Sequence, residues 1–434
     1  MALARGVVIG ASRSGSGKTV VTLGLLAALR RRGHVVAPAK AGPDYIDPAF
    51  LGRAAGREAV NLDPWAMGPA RLKHLASVQA TGADLLMIEG VMGLFDAAAD
   101  GVGSTADLAE LLELPVLLVV DAEKQSQSVA PLIAGFANWR PGVRIGGVIL
   151  NRVASMRHER MLVEAVGTTG IPCLGAIPRS DDLVVPERHL GLVLPGEVDA
   201  FETFLDAAAE TVGDYVDLDA LIGLAAPPAE PATTALLLPP LGQRIAIARD
   251  GAFAFLYPHL IDGWRAAGAE LSWFSPLADE PPAGDADAVF LPGGYPELHG
   301  ERLANAHRFK AGLIAARDRE ALIYGECGGF MVLGEALVDK AGQSHAMAGL
   351  LPVTTRIDRP KRILGYRRLV QTGGLPWPEG LHGHEFHYSS ARQSRLPPLF
   401  HAADARGDML PPMGAVIGRV MGSYAHVIDR AGEA

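Results

Sequence analysis

Short apolar runs alternate along the first half of the chain with longer stretches whose apolar positions recur every three or four residues. Residues 6–10 (GVVIG), 35–39, 85–88, 116–120 and 145–150 are runs of the first kind, as expected of strands buried on both faces. Residues 18–32, stopped by Gly33, together with 104–113 and 156–166, carry the helical period. Strands separated by helix-length segments cannot pair as hairpins. They predict a parallel sheet with helices on both faces. The second half begins the pattern again, with strands at 244–248, 288–291 and 321–324 and a helix at 330–335. Between the halves, residues 225–240 (AAPPAEPATTALLLPP) hold five prolines in sixteen positions, too many for a packed helix or strand. The reading is therefore two α/β domains, 1–225 and 243–434, joined by a proline-rich linker at 226–242.

Residues 10–19 (GASRSGSGKT) join the first strand to the first helix, the setting a phosphate-binding loop requires. Gly15 and Gly17 let backbone N–H groups turn toward phosphate oxygens. Lys18 would neutralise the β- and γ-phosphates, Thr19 would ligate Mg²⁺, and the helix N-terminus adds its positive dipole end. The leading glycine is Gly10 and Ser12 stands where the strict pattern has one, so this is a variant loop. Glu89 ends the strand at 85–88, where a carboxylate faces the ligand crevice of a parallel sheet and suits Mg²⁺. Asn151 follows the strand at 145–150 and is a candidate reader of the adenine edge. The loops KAGPDYIDP (40–48) and EGVMGLFD (89–96) also follow strands, which gathers Asp44, Asp47, Glu89 and Asp96 around the transferred phosphoryl group. Arg13, five residues before Lys18, is a candidate phosphate contact.

The second half carries different chemistry. Cys327 lies in YGECGG (324–329), on a tight strand-to-helix turn, a setting that exposes a thiol near a helix N-terminus and lowers its pKa. LPGG (291–294) follows another strand, and backbone N–H groups such as those of Gly294 and Gly328 would receive an oxyanion. Cys173 reads as a core residue.

Bulk properties narrow the class. The chain has 434 residues, 49% apolar and 20% charged, with net charge −9 and no basic tail, so nonspecific nucleic-acid binding is not expected. Two cysteines give no disulfide framework, and proline, glycine or charge interrupts every apolar run before it reaches membrane-spanning length. A soluble cytoplasmic enzyme with no nucleic-acid or membrane partner is the expectation.

GPDYIDP, EGVMGLFD and the variant phosphate loop together resemble the cobyrinic/hydrogenobyrinic acid a,c-diamide synthases, over nearly the whole chain. The resemblance implies a dethiobiotin synthetase-like P-loop half and a flavodoxin-like class I glutamine amidotransferase half. It implies ATP as co-substrate, Mg²⁺, L-glutamine as nitrogen donor and a corrin-ring polycarboxylic acid as acceptor, amidated through an acyl phosphate. Asp44, Tyr45, Asp47 and Asp96 would handle substrate, metal or intermediate, with Asp44 a further metal ligand. His426, in GSYAH (422–426), would activate Cys327. His384 and His387, in GHEFHYS (383–389), are read as substrate-facing or interface-forming. Ile428 occupies the place where many class I amidotransferases have a triad Glu, two residues after the His. The basic run Arg356, Arg359, Lys361, Arg362, Arg367 and Arg368 is a candidate acidic-substrate pocket. Related amidating enzymes, cobyric acid synthase and nickel-sirohydrochlorin diamide synthase, share the chemistry. A partition-type ATPase switch would have no use for the second half. A homodimer is left open.

Overall fold

Seven strands of the N-terminal half lie side by side and all parallel: β1 (Arg5–Ala11), β2 (Val36–Ala41), β3 (Val60–Leu62), β4 (Leu85–Glu89), β5 (Val116–Asp121), β6 (Ile145–Val153) and β7 (Cys173–Pro178), in the order β3-β2-β4-β1-β5-β6-β7. The computed structural model describes residues 4–183, 201–230, 238–393 and 396–431. Its contacts divide it into two units, Met1–Ala235 and Leu236–Ala434. In the first, the strand order runs out both ways from β1. The phosphate-binding loop leaves β1 at that switch point, where ligand crevices open in parallel sheets.

Among the described residues eight α-helices accompany this sheet: α1 (Lys18–Arg31), α2 (Ile46–Ala55), α3 (Pro69–Ala80), α4 (Thr105–Leu111), α5 (Val129–Asn138), α6 (Met156–Gly167), α7 (Phe201–Tyr215) and α8 (Leu218–Leu224). Val7 and Ile9 pack with α1 and α7 on one face, while Val8, between them, is equally buried on the other. Burial of both alternating sets explains why these strands read as unbroken apolar runs. The pattern missed β3, only three residues long, and β7, which opens on Cys173. That thiol is half-buried rather than in the core, with its Sγ 3.5 Å from the Gly175 carbonyl.

The proline-rich segment starts as part of the first unit. Ala226 exchanges two backbone hydrogen bonds with Gly6, and the Ala229 N–H donates to the Leu112 carbonyl. Proline lacks an N–H, but the residues between prolines keep theirs, so the segment pairs wherever those residues face a partner. Residues 231–237 of the expected linker lie outside the described residues.

The second unit is built from β8 (Arg244–Ala248), α9 (Pro258–Ala266), β9 (Glu270–Phe274), β10 (Ala288–Leu291), α10 (Gly300–Ala304), α11 (His307–Asp318), β11 (Leu322–Glu326) and α12 (Gly328–Leu333). The strands β12 (Ala336–Val338), β13 (Ser344–Ala346), β14 (Val353–Arg356), β15 (Ile363–Gln371), β16 (Gly380–His387), β17 (Ser390–Gln393), β18 (Phe400–Ala403), β19 (Ala415–Ile417), β20 (Val420–Ser423) and β21 (His426–Arg430) follow. Its main sheet has the order β19-β20-β11-β10-β8-β9, parallel except for β19. Two further four-stranded sheets, β13-β12-β14-β17 and β18-β15-β16-β21, were not legible as an α/β pattern, because their strands alternate buried and open positions. Among the described residues no helix is long and apolar enough to cross a membrane.

Candidate functional site

The phosphate-binding loop is held from several sides. Gly17 precedes α1 with φ +84°, a conformation that favours glycine, and a Cβ there would collide with the Asn151 amide. Asn151 Nδ2 donates to the Ser16 carbonyl at 2.9 Å, and its Oδ1 accepts from the Arg152 N–H. The structure thus places Asn151 as a brace on the loop. Gly15 has φ +79°, and its carbonyl accepts from Arg152 Nη1 at 2.9 Å.

Arg13 Nη2 lies 2.8 Å from Asp121 Oδ2, which also takes Arg152 Nη1 at 2.8 Å, and the Arg13 side chain remains 67% exposed. Asp121 ends β5 as Glu89 ends β4, so the signal that marked Glu89, an acid closing a buried strand, was present at Asp121 as well.

Lys18, Thr19 and Glu89 come together as expected. Thr19 Oγ1 donates to Glu89 Oε1 at 2.7 Å, and Lys18 Nζ donates to the Met92 carbonyl at 3.1 Å. Lys40 is the residue that sequence reasoning missed. It sits inside β2, buried, with Nζ 2.5 Å from Asp47 Oδ2, 3.1 Å from Glu89 Oε1 and 3.3 Å from the Gly90 carbonyl. A lysine inside the apolar strand VAPAKA was its signal. Burial alone would lower its pKa, but Asp47 and Glu89 hold it above the ordinary lysine value. Burial works against the charge of Asp47 too, and Lys40 outweighs it, keeping that carboxyl below the usual range. Lys18 is pushed down to about 8, by burial and then by the Lys40 charge, against the pull of Glu89, Asp47 and Asp96.

The other acids do separate work. Asp44 Oδ1 accepts from the N–H groups of Ile46 and Asp47 at 2.7 and 3.0 Å and caps α2. Its tip is open to solvent, yet the protein crowded around it and then the Asp47 carboxylate push it up to about 6. Tyr45 is half-buried at the start of α2. Asp96 Oδ2 accepts from the Gly93 N–H at 2.8 Å and holds the 89–96 loop closed.

Among the described residues no three or more His, Cys, Asp or Glu side chains are grouped to hold a metal by themselves. The donors nevertheless suit Mg²⁺ carried in with a nucleotide, which needs only one or two protein oxygens. Glu89 Oε2 is buried and has no hydrogen-bond partner, and the Thr19 hydroxyl lies beside the same carboxylate.

In the second unit Cys327 stands between β11 and α12 with φ +45° and ψ −106°, a strained backbone typical of residues held for function. Its N–H donates to the Ser423 carbonyl at 2.8 Å, and its Sγ lies 4.0 Å from the Phe386 carbonyl. The Gly328 N–H points at the sulfur. Gly294 and Gly328 are adjacent, since a Cβ on Gly328 would fall 3.1 Å from the Gly294 nitrogen. The His426 ring packs on Gly293, where a Cβ would strike its Cε1. The nucleophile, both expected oxyanion donors and the histidine are thus gathered by β10, β11, β20 and β21.

The thiol pKa departs from expectation. The turn was read as lowering it, but burial, and then the charges of Glu297, Glu326 and Glu385, push it well up. The six-residue α12 opposes them chiefly through the Gly328 N–H. Glu297, a second missed residue, lies three positions after Gly294 and is itself pushed up to about 7 by burial.

GHEFHYS forms most of β16. His387 is buried. Its Nε2 lies 2.7 Å from Glu385 Oε1, Glu385 Oε2 takes Arg367 Nε at 2.7 Å, and the ring stacks on Tyr424 at 3.9 Å. His384 points to the opposite face and pairs in register with His426. Burial, then the charges of His426 and Arg367, drive its pKa down to about 3, so the ring is uncharged near neutrality. The basic run is likewise divided by the two-residue period of β15: Arg367 is buried against Glu385 while its neighbour Arg368 is exposed. Arg356 pairs with Asp358 at the surface.

Comparison with known proteins agrees with this division of labour. Residues 7–193 match the CobQ/CobB/MinD/ParA nucleotide binding domain, and residues 244–433 match the CobB/CobQ-like glutamine amidotransferase domain. Among similar proteins are three hydrogenobyrinate a,c-diamide synthases. That of Brucella suis biovar 1 is 55% identical over 99% of this chain and 100% of its own length. That of Rhizobium meliloti is 51% identical over 98% and 99%. That of Rhodobacter capsulatus is 49% identical over 98% of each.

Proposed function

The chain belongs to the hydrogenobyrinate a,c-diamide synthase family, and we propose that it converts the a and c carboxylates of hydrogenobyrinic acid to carboxamides at the expense of ATP and glutamine. The observation that carries this reading is one chain holding both a phosphate loop beside Lys18, Lys40 and Glu89 and a strained Cys327 whose neighbour Glu326 lies 3.6 Å from His426.

A carboxylate is a poor acyl donor because oxide would have to leave. Its oxygen attacks the γ-phosphorus of ATP, ADP departs, and the acyl phosphate then loses phosphate to ammonia. The protein's part is positioning and charge neutralisation. Lys18 and the loop N–H groups receive phosphate charge. Lys40, pinned between Asp47 and Glu89, presents a fixed cation at the same crevice. Mg²⁺, held by Thr19 and Glu89, would supply further neutralisation of the phosphates. Asp44, Tyr45 and Asp96 on the flanking loops, and Asp47 in the first turn of α2, stand where the acceptor carboxylate would enter.

In the second unit the Cys327 sulfur attacks the glutamine carboxamide carbon and its proton passes to His426. The oxyanion is received by the N–H groups of Gly294 and Gly328. The C–N bond breaks, His426 returns the proton to the leaving ammonia, and water releases glutamate from the thioester. The raised thiol pKa suits this order, since the proton leaves only as the bond forms. We place the reaction in the cytoplasm, where both nucleotide and glutamine are abundant and thiols stay reduced.

The test is to incubate the protein with ATP, Mg²⁺, glutamine and hydrogenobyrinic acid and follow product mass. Two successive carboxyl-to-amide exchanges are expected. Cys327→Ala should lose them with glutamine and regain them with free ammonia. ATP turnover with no mass change in this acid would reject the acceptor.

A further inference from the structure

The usual triad acid is missing, since Ile428 stands two residues after His426. The structure shows why an acid has no room there. Ile428 is wholly buried, and its carbonyl accepts from His259 Nε2 at 2.8 Å. A carboxylate reaches His426 from another strand. Glu326, the last residue of β11 and the one preceding the nucleophile, has Oε2 3.6 Å from His426 Nδ1, and both side chains are 2% exposed. Two donors anchor its other oxygen: the Tyr324 hydroxyl at 2.9 Å and the Val427 N–H at 3.1 Å, both on Oε1.

We propose that Glu326 is the positioning residue of the glutaminase site, supplying from β11 the orienting carboxylate that the usual place beyond His426 lacks. A buried carboxylate beside Nδ1 favours the tautomer with its proton on that nitrogen, which frees Nε2 to take the Cys327 proton. It also stabilises the imidazolium formed after transfer. The anchoring is rigid because Tyr324 and Val427 belong to the strands that carry Cys327 and His426. One residue pair thereby fixes the carboxylate relative to both reacting groups.

The charge has a second, opposite effect, and this makes the proposal testable. Glu326 also helps push the Cys327 thiol up. If it acted only through bulk electrostatics, removing the charge would make Cys327 a more available thiolate and raise the rate. If it orients His426, removing the charge lowers the rate.

The experiment uses the full chain and compares wild type, Glu326→Gln and Glu326→Asp. It reads glutaminase kcat and KM against pH, with ammonia-dependent amidation and the melting temperature as controls for folding. Glu326→Gln should lower kcat on the order of 10²–10⁴-fold with glutamine KM little changed, as expected when a triad acid is neutralised. Glu326→Asp should recover part of the loss. A kcat within about threefold of wild type overturns the proposal. So does a parallel loss of ammonia-dependent amidation and melting temperature, which would mark Glu326 as structural only.

Discussion

Thr19 Oγ1 donates a 2.7 Å hydrogen bond to Glu89 Oε1, tying the first turn of α1 to the end of β4. The two residues are seventy positions apart and meet because β1 and β4 are parallel neighbours, with Ile9 in register with Glu89. The other oxygen of Glu89 is buried without a hydrogen-bond partner. Glu89→Gln keeps the shape and removes the charge. Ammonia-dependent amidation should fall on the order of 10²–10³-fold, with glutaminase turnover retained, because only the phosphoryl-transfer half loses charge stabilisation. Steady-state assays of the two half-reactions check this.

Lys40 neutralises two carboxylates from within the sheet. Lys40→Met should destabilise the first unit by about 3–5 kcal/mol, since it leaves buried charges uncompensated. Adding Glu89→Gln should recover part of that loss. The measurement is the midpoint of the denaturant transition that ATP shifts. The Asp47 carboxyl is held below its unfolded pKa, so its contribution is present above the unfolded value and is lost as pH falls through the folded one. The stability gap between wild type and Asp47→Asn should therefore hold near neutrality and close in acid.

Cys327 should be a slow target for an alkylating reagent in the free enzyme. At pH 7.5 iodoacetamide should modify it on the order of tenfold more slowly than an exposed cysteine, because burial and the neighbouring carboxylates keep it protonated. Glu297→Gln removes the largest of those charges and should speed labelling. Mass spectrometry of the labelled protein reads both rates.

Glu297 itself is pushed up to about 7. A carboxyl with a raised pKa contributes stability that is present below its unfolded value and is lost as pH rises through the folded one. Glu297→Gln should therefore melt with wild type near pH 4 and above wild type at pH 8. A melting difference independent of pH would refute this.

The Arg367–Glu385–His387 cluster should be costly to break. Glu385→Ala leaves a buried guanidinium without its partner and should cost about 3–5 kcal/mol in the second unit. Chemical denaturation measures it, and Arg367→Met with Glu385→Met together should cost less than Glu385→Ala alone.

Much of this molecule was legible along the chain. The long parallel strands announce themselves because both faces are buried and polar residues stand only near their ends. The phosphate loop, Glu89 and Cys327 sit at strand ends, where local sequence and position already define the chemistry. The strands after Leu333 escaped because most are short and the longer β15 and β16 alternate buried and open positions, a weak signal within any one segment. The basic run shows the same limit: Arg367 and Arg368, adjacent in sequence, are sent to opposite faces by the two-residue period of β15.

What the sequence determined by itself is therefore what depends on neighbours within about ten residues: strand and helix identity, the turns that hold Gly17 and Cys327, and the types of reacting group. Tertiary structure alone decided the partners. It placed Lys40 between Asp47 and Glu89, turned Asn151 into a brace for the phosphate loop, and brought Glu326 to His426 across a hundred residues. The physical reason is range. Backbone conformation is settled by local sterics and hydrogen bonds, whereas the charge and pKa of a buried group are set by whichever atoms the fold packs within a few ångströms of it.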